Sequence, residues 1–203
     1  NVSGLTRPII ARTLPLVMGA ISLLIGAALL GWTIHTGIPT RKQNVQQKIE
    51  EARRNGASSL DLSDMRLTEI PSEVFRLTSL NYLNLSFNRL DELPEEIGDL
   101  DQLTNLDVSY NHLISVPAAI GNLASLEYLY LRHNDIAELP PEIGRLANLE
   151  TLNIAENRLE SLPGEIRHLT NLRHLILFEN DLTALPSEVA QLQNLQIVAV
   201  EYN

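Results

Sequence analysis

Three titratable side chains recur at a fixed spacing and are the residues of this sequence best placed to do chemistry. His133, Glu156 and Glu179 follow one another at intervals of 23 residues. An imidazole and two carboxylates brought together could hold a metal ion or act as an acid–base pair. On neighbouring parallel strands their backbones would lie about 5 Å apart. Charged side chains on an exposed face are usually just solvated, so the spacing alone does not predict a reaction.

The rest of the sequence argues against an enzyme. The chain has no cysteine, which excludes disulfides, thiolate metal sites and cysteine nucleophiles. His35, His112 and His168 form no cluster, and the sequence contains no phosphate-binding glycine loop, nucleophile elbow or HExxH motif. We therefore predict a non-enzymatic protein with no catalytic residue, no cofactor and no metal.

The 23-residue spacing belongs to a repeat that runs through most of the chain. The pattern L-x-x-L-x-L-x-x-N-x-L begins at Leu80, Leu103, Leu126, Leu149, Leu172 and Leu195. An imperfect leading copy begins at Ala57 and has Met65 where asparagine is expected. Between copies lies L-P-x-E-I-G-x-L, as at 93–100 and 139–146. Each copy can bury its leucines only against its neighbours, so the repeats must stack.

In these motifs, residues 57–203 resemble the leucine-rich repeat family, with about seven repeats, the last one incomplete. The L-P-x-x-I variety is similar to repeats of bacterial and of Ras-associated leucine-rich repeat proteins. The resemblance implies an α/β solenoid, with a parallel β-sheet on the concave face and an irregular or short helical convex side. This resemblance predicts the fold of the repeats and does not by itself predict a function.

The recurring asparagine of each repeat is predicted to be structural. It falls where the chain turns off the strand, and a buried amide requires hydrogen-bond partners. We expect a ladder of side-chain bonds to the backbone of neighbouring repeats. The ladder consists of Asn88, Asn111, Asn134, Asn157, Asn180 and Asn203.

A basic segment at residues 41–56 is predicted to cap the first repeat, because a solenoid exposes its core at an open end. Val45, Ile49 and Ala52 lie on one face of a helix over this segment, and Gly56 is suited to the position just after its last turn.

Leu14–Ile34 is apolar over roughly the 20 residues that a bilayer-spanning helix needs. We predict one transmembrane helix with its flanks at residues 13–40, after a tail at residues 1–12. A cleaved signal sequence or a buried globular helix is the alternative. Gly19, Ser22 and Gly26 lie near one helix face and would let a second membrane helix approach, although small residues are common in membrane helices generally.

Charge patterning bears on orientation and on partners. Five basic residues follow the apolar segment and two precede it, an excess that favours a single-pass orientation with the repeats on the cytoplasmic side. Residues 1–56 carry a net charge of +5 and residues 57–203 carry −15. The acidic repeats would repel a phosphate backbone, so no nucleic-acid partner is expected.

Aromatic residues fall out of step with the leucines. Counting from the first leucine of each repeat as zero, we expect positions two, four, six and seven to face solvent on or beside the concave face. Aromatics also suit strands for reasons of propensity alone, but exposed tyrosines on a rigid surface are typical of contact sites. The predicted partner-binding residues are Tyr82, Phe87, Tyr110, Tyr128, Tyr130, Arg132, His133, His174, Phe178 and Tyr202.

The sequence thus predicts a membrane-anchored protein–protein interaction module. Its most specific form is an accessory or scaffolding subunit of a larger membrane complex, with protein partners that include other membrane-embedded subunits, and with residues 14–34 in the lipid bilayer. The alternative is a signalling regulator or receptor-like protein that binds a small GTPase or another ligand transiently.

Overall fold

The structure is a computed structural model that describes residues 40–203. A helix, α1 (Arg41–Asn55), is followed by short strands that alternate with 3-10 helices. The strands are β1 (Ser59–Asp61), β2 (Tyr82–Asn84), β3 (Asn105–Asp107), β4 (Tyr128–Tyr130), β5 (Thr151–Asn153), β6 (His174–Ile176) and β7 (Ile197–Ala199). The 3-10 helices are Ser72–Arg76, Glu95–Asp99, Ala118–Asn122, Pro141–Arg145, Gly164–His168 and Ser187–Gln191.

The strands form one parallel sheet in sequence order, each paired with the next. The register places equivalent residues of successive repeats opposite each other, so that Leu60 pairs with Leu83 and Leu83 with Leu106. The predicted parallel sheet and the short helical opposite side are confirmed. Because the register equals the repeat length, every position of the motif forms a row of side chains across the sheet.

The core lies between the sheet and the 3-10 helices. The middle residue of β1 to β6 is buried, and Leu83, Leu106 and Leu129 are fully buried. Burial of one such leucine stabilises the fold by about 1.5–3 kcal/mol. One continuous cluster extends from Val45 on α1 to Leu192, just before the last repeat. The amphipathic face of α1 therefore covers the start of the core, and the helix ends at Asn55, followed by Gly56, whose φ is 56°.

Several sequence predictions concern residues outside the described part of the chain. These are the tail at 1–12, the transmembrane helix predicted from residue 13 with its apolar segment at 14–34, and the packing residues Gly19, Ser22 and Gly26. Among residues 40–203, none of the helices has the length and apolar character needed to cross a membrane.

The asparagine side chains join successive repeats. Nδ2 of Asn134 donates to the carbonyl oxygens of Leu131 in its own repeat and Val108 in the preceding one, at 3.0 and 3.1 Å. Its Oδ1 accepts from the N–H of Leu113 at 3.0 Å. Equivalent bonds are made by Asn88, Asn111, Asn157, Asn180 and Asn203. One amide per repeat thus satisfies backbone groups at the turn in two consecutive repeats.

The 3-10 helices approach each other so closely that glycine is required at a recurring position. A Cβ atom built on Gly121 would lie 2.6 Å from the carbonyl oxygen of Glu142, and one on Gly144 would lie 2.6 Å from that of Glu165. Both distances are shorter than atoms can tolerate, and the blocking atoms belong to the backbone. The close stacking at Gly121 and Gly144 therefore depends on the absence of a side chain.

Replacement of a ladder asparagine should destabilise the protein. We expect Asn134→Leu to lower the free energy of unfolding by about 1–3 kcal/mol, because buried N–H and C=O groups lose their partner. Urea unfolding would measure the change. The control is Asn148→Leu, because this exposed amide makes a single bond to the carbonyl oxygen of Ala124. Equal losses in both variants would contradict a special role for the ladder.

A pair of glycine substitutions tests the close approach of the 3-10 helices. Gly144→Ala should cost about 1–3 kcal/mol, the usual cost of forcing extra volume into a packed site. Gly164→Ala should be nearly neutral, because a Cβ atom at this position would meet its nearest neighbour, Nη1 of Arg167, at 3.8 Å. Thermal unfolding of the two variants would show the difference, and similar midpoints for both would argue against the steric explanation.

Candidate interaction surface on the concave face

One row of residues beside the sheet has an unusual backbone. The residue at position seven of every repeat is in the left-handed region, with φ between 52° and 59°, although none of them is glycine. We call this row the edge column; it comprises Asp64, Phe87, Tyr110, His133, Glu156, Glu179 and Tyr202. The conformation costs roughly 1–2 kcal/mol for a residue with a side chain. Backbone bonds such as Phe87 N–H to the carbonyl oxygen of Ser109, at 3.0 Å, hold it in place.

Three successive residues of the edge column, Phe87, Tyr110 and His133, form an aromatic stack. The rings of Phe87 and Tyr110 are parallel within 7°, with their centroids 4.4 Å apart. The imidazole of His133 continues the stack at 4.9 Å from the ring of Tyr110. Phe87 is 56% exposed even though it is stacked. Solvent therefore meets a rigid aromatic surface rather than separate mobile rings.

A charged network adjoins the stack at Glu156. The guanidinium of Arg132 donates to Oε1 of Glu156, with its Nε at 2.7 Å, and Nδ1 of His133 lies 2.8 Å from Oε2. Arg132 also lies over two rings, 5.7 Å from the centroid of Tyr110 and 5.5 Å from that of Phe178. A cation held between two aromatic faces and a carboxylate loses little mobility when a partner binds.

The network also changes the acidity of Glu156. The hydrogen bond with His133 lowers the pKa of the Glu156 carboxyl. Partial burial opposes this effect, and the hydrogen bond and positive charge of Arg132 reinforce it. Since all the favourable contacts are made to the carboxylate, the ionised form is the one that the folded protein stabilises.

A second group of aromatic residues lies on the strands themselves. Tyr82 on β2 and Tyr128 and Tyr130 on β4 point away from the core and are half-buried or exposed. Burial raises the pKa of Tyr130, and the charge of Asp107 adds to this effect, together with the neighbouring Tyr128 and Tyr82. The Tyr130 hydroxyl therefore stays protonated and can donate a hydrogen bond to a partner.

The two remaining predicted residues are placed apart from these groups. His174 on β6 is half-buried, and its Nδ1 lies 3.1 Å from Oγ1 of Thr151. Tyr202 belongs to the edge column but is separated from the stack by Glu156 and Glu179, and it is 83% exposed. The structure thus leaves His174 and Tyr202 outside the network. The residues that it joins are Phe87, Tyr110, Arg132, His133 and Phe178.

The titratable residues at the 23-residue spacing line one shallow cleft of about 370 Å³ beside the edge column. His133 and Glu156 are paired there with each other, and Glu156 is also bound by Arg132. Within residues 40–203 no group of three or more such side chains is arranged to hold a metal ion. These side chains could contact charged and aromatic groups of a partner. The carboxylate of Glu156 is already paired with Arg132 and His133 of the same protein.

A family model described as a leucine-rich repeat region matches residues 59–130 and 118–201. This chain belongs to the leucine-rich repeat family. No curated protein matches this leucine-rich repeat protein.

Solved structures share the fold. A Leptospira interrogans leucine-rich repeat protein is 38% identical over 72% of this chain and 43% of its own, with a TM-score of 0.54. A plant peptide hormone receptor in complex with RGF2 is 37% identical over 71% and 24%, with a TM-score of 0.66. The Arabidopsis thaliana receptor kinase ectodomain GASSHO1/SCHENGEN3, in complex with CASPARIAN STRIP INTEGRITY FACTOR 2, is 32% identical over 71% and 18%, with a TM-score of 0.63. The chain therefore spans less than half of each of these structures.

The expectation that position six faces solvent is wrong for several repeats of this leucine-rich repeat protein. Ser86, Ser109 and Ala155 are buried. Their backbone N–H groups donate to the side chain two residues earlier, as Ser86 does to Oδ1 of Asn84 at 2.9 Å. This turn folds position six beneath the surface, so only long side chains there, such as Arg132, reach out. Asparagine or aspartate at position four, followed by a small residue at six, was the signal in the sequence.

The ion pair at Glu156 predicts a pH-dependent contribution to stability. Its folded pKa is lowered, so the stabilisation is present above the ordinary glutamate pKa of about 4.3 and is lost as pH falls through the folded value. Glu156→Gln should therefore cost up to about 1 kcal/mol at pH 7, and less as the pH approaches 3. Urea unfolding across this range would measure the difference.

Glu179→Gln is the matched control for the pH series. Glu179 has the same position in the next repeat and makes no ion pair with a residue in the described range. Its substitution should leave the free energy of unfolding nearly unchanged at every pH. A constant effect of Glu156→Gln across the series would contradict the ion-pair explanation.

Proposed function

We propose that this leucine-rich repeat protein is a membrane-anchored interaction module that binds another protein through its concave face and edge column. In its most specific form it is an accessory or scaffolding subunit of a larger membrane complex. The observation that carries the proposal is the connected network of Phe87, Tyr110, His133, Arg132 and Phe178. It presents aromatic and cationic groups, the types enriched at binding hot spots, in an already fixed arrangement.

Rigid presentation favours binding because few side chains must be ordered when the partner arrives. The backbones of the edge column are fixed by bonds to the next repeat, and their rings are stacked. Charge around the network is mixed but net acidic, with Asp107, Glu156 and Glu179 nearby. A partner segment with basic groups around an apolar or aromatic centre would complement this surface.

Membrane anchoring is supported by the sequence of residues 14–34, which is long and apolar enough for a bilayer span. The excess of basic residues after this segment favours a cytoplasmic position for the repeats. Gly19, Ser22 and Gly26 would provide a contact for another membrane-embedded subunit. An anchored module of this kind would be held beside its partner at high effective concentration.

A second candidate is a receptor-like protein that binds its ligand transiently. Two of the similar structures are plant receptors in complex with RGF2 and with CASPARIAN STRIP INTEGRITY FACTOR 2. This chain would then bind a peptide on the same concave face. The two candidates differ in salt sensitivity, since transient binding to a basic ligand should weaken steeply as salt rises, whereas a buried subunit interface should persist.

Mild detergent extraction from native membranes, with cross-linking, tests the proposed subunit. A partner recovered at fixed ratio with the wild-type chain should be lost by about 10-fold or more with Tyr128→Ala/Tyr130→Ala or with Phe87→Ala, a typical hot-spot effect. The control is Ile114→Ala, because Ile114 is a large apolar residue that is 67% exposed outside the concave face and the edge column. A chain that migrates alone, or equal losses with Ile114→Ala, would contradict the proposal.

A further inference from the structure

A separate cleft of about 660 Å³ lies between the first turns of α1 and the segment after β1. Its floor is apolar and includes Val45 and Ile70, both buried. Three basic side chains, Arg41, Lys42 and Arg66, line it from the two sides. The cleft is at the opposite end of the strand order from β7 and takes no part in the aromatic network.

Two of the basic residues are positioned by the packing of α1. Arg41 and Lys42 precede Val45 by four and three residues, so all three lie on one face of the helix. Val45 is only 3% exposed, and its place in the core fixes the rotation of the helix. Arg41 and Lys42 therefore lie on the same face of the helix as Val45.

The third basic residue is positioned by the asparagine ladder. Arg66 is in the left-handed conformation, with φ of 56°. The N–H groups of its neighbours Met65 and Leu67 both donate to Oδ1 of Asn88, at 3.1 and 2.9 Å. The backbone is thus clamped on both sides of Arg66, and the side chain projects from a rigid turn.

These cations differ from the other arginines nearby. Arg53 pairs with Glu50. No ion pair joins Arg41, Lys42 or Arg66 to another residue between 40 and 203. Three basic side chains without a close ion-pair partner in this range, beside an apolar floor, complement a ligand that combines a negative group with an apolar part.

Two carboxylates complete the lining and narrow the class of ligand. Glu69 and Glu73 lie in the same cleft and can accept hydrogen bonds from hydroxyl groups of a ligand. We infer that this cleft binds an anionic phospholipid, with the phosphate at the three basic residues, headgroup hydroxyls at Glu69 and Glu73, and the first methylene groups of the acyl chains on the apolar floor. Phosphatidylglycerol has this combination of groups.

The inference rests on the proposed membrane anchor. Arg41 follows Ile34 by seven residues, a length of chain that spans at most about 25 Å when fully extended. In a chain anchored through residues 14–34, this length would be the upper limit of the distance between Arg41 and the end of the apolar segment. Basic residues directly after a membrane span are attracted to anionic lipids, and here the fold would turn that general attraction into a defined site.

The test is a titration of the full-length chain in mild detergent with phosphatidylglycerol and with phosphatidylcholine, followed by native mass spectrometry. We expect tighter retention of phosphatidylglycerol, and a loss of about 10-fold or more in Arg41→Gln/Arg66→Gln. The control, Arg53→Gln/Arg54→Gln, makes the same change in charge at exposed residues of α1 outside the cleft. It should change retention by less than about 3-fold, and circular dichroism should show both variants folded.

Several outcomes would overturn the inference. Equal losses in the two double variants would show diffuse attraction, and equal retention of both lipids would show no anionic site. Displacement of the lipid by inorganic phosphate alone would indicate a phosphate site, and binding of polyglutamate in place of lipid would indicate an acidic protein partner. Release of the chain from membranes by alkaline carbonate would instead contradict the proposed anchor. The titration in detergent would still show whether the cleft binds phosphatidylglycerol.

Discussion

The hydrogen bonds of one buried amide per repeat are the interaction on which the rest of the structure depends. Each ladder asparagine bonds to the backbone of its own repeat and of the preceding one, as Asn134 does through Leu131 and Val108. Leucine burial supplies most of the free energy of folding, but it is not directional. The amide fixes the register in which the buried surfaces meet. With that register fixed, every position of the motif becomes a row, and the edge column and the tyrosines of the strands are placed by the same constraint.

Much of the fold could be predicted because it follows from periodicity. Alternation of leucines identifies inward positions, and a polar residue that recurs beside them must be satisfied by backbone groups. The strands, the short helices of the opposite side and the covering of the core by α1 all follow from these two rules. They depend on the residue type at each position, which the sequence displays directly.

The candidate interaction surface was less predictable because it depends on local geometry. Phenylalanine, tyrosine and glutamate have no preference for positive φ, so nothing in Phe87 or Glu156 indicated the left-handed backbone of the edge column. The contact of Arg132 with Glu156 joins residues 24 positions apart, and it depends on side-chain rotamers. Strand alternation alone predicts that position six faces solvent. In the structure, a hydrogen bond from the backbone N–H of Ser86 to Oδ1 of Asn84 turns the chain and buries this position.

The left-handed backbone of the edge column has a consequence for how this surface can change over evolutionary time. Since the conformation is imposed by bonds from the neighbouring repeats, it is the same for aspartate, phenylalanine, histidine and glutamate alike. A substitution at one of these positions exchanges the exposed chemical group and leaves the leucine core beneath it untouched. Selection can therefore alter the exposed groups of this row without a compensating change in the leucine core, although stacked or paired neighbours such as Tyr110 and His133 change their contacts together. Duplication of a repeat would add one more variable position to the same row.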